Sequence, residues 1–143
     1  MVADSTKRGF GQDLFTLVRT YRQHTDPLLE DFPAGPRGFY VMVAVEESGP
    51  RNQQALACSV GIDRTVMTYT LDALQQAGLT ERLVDPDDRR ARLITLTAKG
   101  RQALHRTRAE LDQAESEFLS PLTATERQAL TSLLQRAASA TDE

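Results

Sequence analysis

Residues 64–77 constrain this chain more than any other stretch. At about 100° per residue, Arg64, Thr65, Thr68, Tyr69, Asp72, Gln75 and Gln76 fall within an arc of roughly 140°. Val66, Met67, Thr70, Leu71, Ala73, Leu74 and Ala77 occupy the opposite arc. A segment divided in this way is a helix with a core face and a face of short hydrogen-bonding groups, one arginine and one tyrosine. Asp63 can cap its start, and Gly78 stands just past its end. Directly before it, Asn52 can cap a short helix over 53–59 that Gly61 ends. A short helix, a tight turn and a longer helix with one polar face make a helix-turn-helix.

Two β-branched, alternating runs follow, at about 80–84 and 92–97. Between them lies the charged turn Asp85-Pro86-Asp87-Asp88-Arg89-Arg90. The fold class is therefore mostly α with a small β-hairpin wing: a winged helix-turn-helix. A B-DNA major groove admits one α-helix, and short polar side chains near its N-terminus reach base edges. Arg64, Thr65, Thr68 and Tyr69 occupy that end. The hairpin tip offers Arg89 and Arg90 to the neighbouring minor groove or to phosphates, and Asp87 or Asp88 can hold an arginine in a fixed fork.

The net charge of −3 argues against nucleic acid only as an average. Residues 80–110 carry +3, against −2 over 1–79 and −4 over 111–143. The basic excess thus sits in about thirty residues that include the expected wing and the start of the helix after it, and local charge governs phosphate contact.

The other elements are helical. Phe10, Leu14, Leu17, Val18 and Tyr21 recur at helical spacing, giving a helix to about His24 that Asp26-Pro27 breaks. Residues 1–9 are polar and read as loose. Phe32-Pro33-Ala34-Gly35-Pro36 reads as a breaker, with an apolar helix at 38–48 after it, closed by Gly49-Pro50. Thr97 can cap a long helix from 98 to about 119, stopped by Pro121. Thr123 and Glu126 form a capping box that opens a last helix to about Ala138. The long helix sets Leu104, Leu111 and Phe118 at seven-residue spacing with Ala114 between, and the last repeats Leu130, Leu133, Leu134 and Ala137. Such stripes, with the N-terminal helix, call for a partner, and a two-fold dimer spaces two reading helices by about 34 Å, one DNA turn.

Four segments closely resemble the MarR family of bacterial transcriptional regulators: Gly61-Ile-Asp-Arg-Thr-Val-Met-Thr68, Leu74-Gln-Gln-Ala-Gly-Leu-Thr-Glu-Arg82, Asp85-Pro-Asp-Asp-Arg-Arg-Ala91 and Leu96-Thr-Ala-Lys-Gly100. The match is strong over roughly 38–105, and the wing followed by Leu-Thr-x-x-Gly is its specific part. The resemblance implies one domain over 1–143, with dimerisation helices at 10–30 and 105–140 and a DNA-binding lobe at 38–100. It implies a homodimer on double-stranded DNA at a pseudo-palindromic operator, mainly as a repressor, released by a small phenolic or lipophilic effector. It places Thr65, Thr68 and Tyr69 against bases, Arg90 in the minor groove with Asp88 as its partner, and Arg89 on a phosphate or in a structural role. The family often carries arginine where this chain has Tyr69, a departure for which Arg64 can compensate. An effector pocket near the junction of dimer helices and lobe would draw on Arg19, Tyr21, Phe39 and Tyr40.

Other classes find little support. No apolar run is long enough for a membrane span, no signal peptide is evident, and one cysteine forms no internal disulfide, so the chain reads as cytoplasmic. Cys58, in Ala55-Leu-Ala-Cys58, reads as a small buried hydrophobe. His24 and His105 are isolated, so neither a metal nor a cofactor is expected. There is no glycine-rich phosphate loop, nucleophile elbow or catalytic triad spacing, so the chain does not read as an enzyme. The acidic total and Tyr69 leave one alternative, a winged-helix protein–protein interaction module without specific DNA binding.

Overall fold

In the computed structural model, residues 8–140 are described. They form α1 (Phe10–Leu29), α2 (Gly35–Ser48), β1 (Arg51–Asn52), α3 (Gln53–Val60), α4 (Arg64–Gln76), β2 (Thr80–Val84), β3 (Arg92–Leu96), α5 (Ala98–Phe118) and α6 (Ala124–Ser139). The chain divides into two compact units, one of residues up to His24 and from Asp112 onward, the other Thr25–Leu111. No helix is long and apolar enough to cross a membrane among the described residues.

The Thr25–Leu111 unit holds the core. Leu29, Phe39, Val41, Met42 and Val45 pack with Leu56, Met67, Leu71, Leu74, Leu79, Ile94, Leu96, Leu104 and Leu111. The sheet runs β1-β3-β2, all antiparallel, with Thr80 opposite Leu96 and Val84 opposite Arg92. The expected hairpin thus gains a third strand, in which Arg51 and Asn52 pair with Ile94 and Leu93. Two residues are too few to show a period, so only the tertiary fold reveals this strand.

Two proline readings need correction. α1 runs through Pro27 to Leu29 instead of stopping near His24. A proline in a helix interior costs about 3 kcal/mol, but Thr25 just before the expected break and Leu29 just beyond it are both buried. Burying one leucine side chain returns roughly 1.5–3 kcal/mol. α2 begins at Gly35, and Pro36 sits in its first turn, where a missing N–H costs nothing and the fixed φ suits the helix.

The other unit contains α6, whose capping box is present as expected. Thr123 Oγ1 accepts from the Glu126 N–H at 3.2 Å, and Glu126 Oε1 accepts from the Thr123 N–H at 2.9 Å. The Tyr21 hydroxyl donates to Glu115 Oε1 at 2.6 Å and its ring meets Phe118 edge-on, with centroids 5.7 Å apart. An apolar cavity of about 350 Å³ lies among α1, α5 and α6, bordered by Leu14, Leu17, Val18, Phe118 and Leu130. The long stripe divides differently from expectation: Leu104 and Leu111 are core residues of the Thr25–Leu111 unit and are not available to a partner chain. Phe10, Leu14, Phe15, Val18 and Leu28 on α1 and Leu133 and Leu134 on α6 are the large apolar side chains left exposed on these two helices.

Candidate nucleic-acid interface

The helix-turn-helix is fixed by its caps. Asn52 Oδ1 accepts from the Ala55 N–H at 2.8 Å and opens α3. Gly61 closes it at φ 72°, a left-handed conformation that glycine adopts without cost, and its N–H donates to Ala57 O at 2.9 Å. Asp63 Oδ1 then accepts from the N–H groups of Thr65 and Val66 and starts α4. All seven polar positions assigned to the outer arc of this helix are exposed, and all seven of the opposite arc are buried or half-buried. Tyr69 is 73% exposed, a large aromatic ring with no cover in the described chain.

The outer face is partly ordered by its neighbours. Thr68 donates its hydroxyl to Arg64 O at 3.0 Å and accepts from Gln53 Nε2 at 2.6 Å. Arg82 on β2 reaches Asp72 Oδ1 at 2.8 Å and also donates to Gln75 Oε1. Arg82 is therefore a clamp between wing and α4, with Asp72 as its ion-pair partner.

The wing tip is closed by its own hydrogen bonds. Asp85 Oδ1 accepts from the Asp87 N–H at 2.9 Å, and the Ala91 N–H donates to Asp88 O at 2.9 Å. Asp88 Oδ1 accepts from the backbone N–H of Arg90 at 3.0 Å. Asp88 thus shapes the loop, and its carboxylate holds the Arg90 backbone, not the guanidinium in a fork. Arg92, which no motif singled out, donates to the carbonyls of Arg89 and Ala91 and ties the same loop from β3. The guanidinium groups of Arg64, Arg89 and Arg90 have no hydrogen-bond or ion-pair partner among the described residues.

The Leu96-Thr-Ala-Lys-Gly100 motif joins α4 to α5. Thr97 Oγ1 donates to Gly78 O at 2.6 Å and accepts from the Gly100 N–H at 2.9 Å, so the expected cap is also a tie. Lys99 Nζ donates to Ala77 O at 3.0 Å, at the C-terminal end of α4. A Cβ at Gly100 would lie 1.9 Å from Leu79 O, so only glycine allows this approach.

The remaining candidates fall in different places. Arg19 and Tyr21 belong to one unit and Phe39 and Tyr40 to the other. Phe39 is 2% exposed and packs edge-on against Phe32 and Tyr40, so its ring belongs to the core. Arg19 and Tyr40 are exposed. Cys58 is also exposed, against expectation: Leu56 and Ala57 take the core face of α3, and the next residue turns outward. His24 meets Phe118 edge-on, and His105 Nε2 donates to Glu46 Oε1 at 3.0 Å. Arg108 holds the other Glu46 oxygen at 2.8 Å. The His105 hydrogen bond, aided by Arg108, keeps the Glu46 carboxyl below the usual value of 4.5 despite partial burial.

A capped helix-turn-helix, an antiparallel wing with two arginines at its tip and a third short strand define a winged helix-turn-helix protein. The sequence profile of the MarR family matches residues 37–91. The transcriptional repressor CouR, in a structure bound to a 23-mer DNA duplex, is similar at 30% identity and TM-score 0.78, over 91% of this chain and 92% of its own. A probable transcriptional regulator from Pseudomonas aeruginosa is similar at 26% identity and TM-score 0.76, over 90% of this chain and 96% of its own. BpsR of Bordetella bronchiseptica, whose DNA binding is regulated by 6-hydroxynicotinic acid, shares the fold at 22% identity and TM-score 0.77, over 93% of this chain and 95% of its own. The chain belongs to the MarR family of transcription regulators, which bind DNA and are not enzymes.

Proposed function

We propose that this protein is a cytoplasmic, sequence-specific repressor that binds a pseudo-palindromic operator as a homodimer and is released by a small phenolic or lipophilic effector. One observation carries the reading: the exposed polar face of α4 lies in the same unit as three unpaired guanidinium groups, those of Arg64, Arg89 and Arg90. Unpaired cations on ordered backbone suit phosphates, and a helix face of short polar groups suits base edges. In this reading Thr65, Thr68 and Tyr69 face bases, Arg64 flanks them, Arg90 enters the minor groove, Arg89 meets a phosphate, and Asp88 sets the tip. The lobe spans 38–100, and helices at 10–30 and 105–140 make the dimer. The exposed apolar residues of α1 and α6 support the second copy, and the DNA-bound repressor CouR supports the operator role. The effector reading draws on BpsR, whose DNA binding is regulated by 6-hydroxynicotinic acid.

The test is a fluorescence-anisotropy titration against the DNA upstream of the protein's own gene, with random duplex as competitor, at two salt concentrations. Tight binding that resists the competitor is expected. Weak binding that fades equally for both duplexes as salt rises would show non-specific electrostatic contact alone.

A further inference from the structure

Gln53 is the first residue of α3, directly after its Asn52 cap. Its side chain leaves that helix and crosses to the outer face of α4, where Nε2 donates to Thr68 Oγ1 at 2.6 Å. Thr68 has already given its hydroxyl proton to Arg64 O. A hydroxyl has one proton and two lone pairs. Thr68 is therefore left with a single lone pair and no donor. The Gln53 amide keeps its second N–H and its oxygen, and neither has another partner among the described residues. Gln53, Gln54, Ala57 and Arg64 line a cleft of about 80 Å³ where the first turns of α3 and α4 meet.

We infer that Gln53 is a base-specificity residue: its amide reads an adenine in each operator half-site, and Thr68 is the positioning residue that sets the amide's orientation. The inference rests on the proposed docking of α4 in the major groove. Adenine offers an acceptor at N7 and a donor at N6, which one amide N–H and one carbonyl oxygen meet together. Guanine offers two acceptors at the same edge and would set its O6 against the amide oxygen. Thr68, with its proton committed to Arg64, can only accept, so it selects the rotamer that turns an amide N–H toward α4. The base-reading face is then a composite of two helices. Within it Thr68 acts through a partner that neither its own position nor the helix periodicity discloses.

Wild type and the variants Gln53→Ala, Gln53→Glu, Thr68→Val and Gln53→Ala/Thr68→Val would each select duplexes from a randomised library. The selected duplexes would then be titrated with one base pair changed at a time. Wild type is expected to favour adenine at one position per half-site by about tenfold, the range of a bidentate contact. Gln53→Ala should lose that preference alone, with an unchanged slope of affinity against salt. Thr68→Val should lose the same position, and the double variant no more than either single one. Gln53→Glu, whose carboxylate only accepts, should move the preference toward cytosine. Circular dichroism should show all variants folded, since both side chains lie outside the core. The inference is overturned if Gln53→Ala selects the wild-type sequence with undiminished discrimination, or if the two single variants affect different base pairs. Failure of the underlying reading looks different: wild type itself would then select no sequence.

Discussion

Single residues in this chain carry constraints that differ in kind. Gly100 is constrained by space. Its missing Cβ leaves room for the Leu79 carbonyl, which approaches a position that any other residue would fill. Gly100→Ala should force α5 away from β2 and destabilise the protein by about 1–3 kcal/mol, the usual cost of overpacking. A lower urea midpoint with unchanged m-value would record this, and a midpoint equal to wild type would show that the backbone yields freely. Glu46 is constrained by charge. Its carboxyl is held below its ordinary value by His105 and Arg108, so the stabilisation is present above the unfolded value near 4.5. It is lost as pH falls through the lower folded value. Urea midpoints followed into acid should therefore decline more steeply for wild type than for Glu46→Gln, and parallel curves would show that the pair contributes nothing to acid stability.

At the scale of elements, wing and reading helix have separable duties. Arg90→Ala should weaken binding on every duplex and lower the salt slope by about one unit, whereas Thr68→Ala should chiefly relax sequence preference. Equal losses on all duplexes for both would refute that division. The helix-turn-helix was legible in the sequence because its signals agree: the Asn52, Gly61 and Asp63 caps and a sharp polar partition of α4. The wing was legible through its β-branched strands and charged turn. What escaped were features set by distant parts of the chain. Strand β1 exists only through its pairing with β3, and α1 passes Pro27 only because Leu29 finds a core. Asp88 meets Arg90 through the backbone N–H and not through the guanidinium, because spacing alone does not say whether a carboxylate meets a side chain or the backbone. Gln53 carried no signal, since its partner is fifteen residues away on another helix.

For the whole molecule, the question is what covers α1 and α6. Leu133 and Leu134 are 58% and 47% exposed, and Phe10 and Phe15 more so, which is a large apolar area for a chain on its own. In the proposed dimer these residues meet a second copy. Leu133→Glu/Leu134→Glu should give a monomer by light scattering at micromolar concentration, with helical content retained. Operator affinity should fall far more than tenfold, because two half-sites would no longer be bound as one. A variant that stays dimeric would move the interface elsewhere.

The closed wing tip bears on the heat and entropy of binding. Fixing a residue's backbone costs roughly 1–2 kcal/mol of entropy at room temperature. In the loop from Asp85 to Ala91 that ordering is completed during folding, by Asp85, Asp88 and Arg92. Titration calorimetry on the operator should therefore show a heat-capacity change that matches the contact surface alone, without the extra decrement of a segment that orders on arrival. The wing would meet DNA as a rigid prong, with only its arginine side chains left to settle.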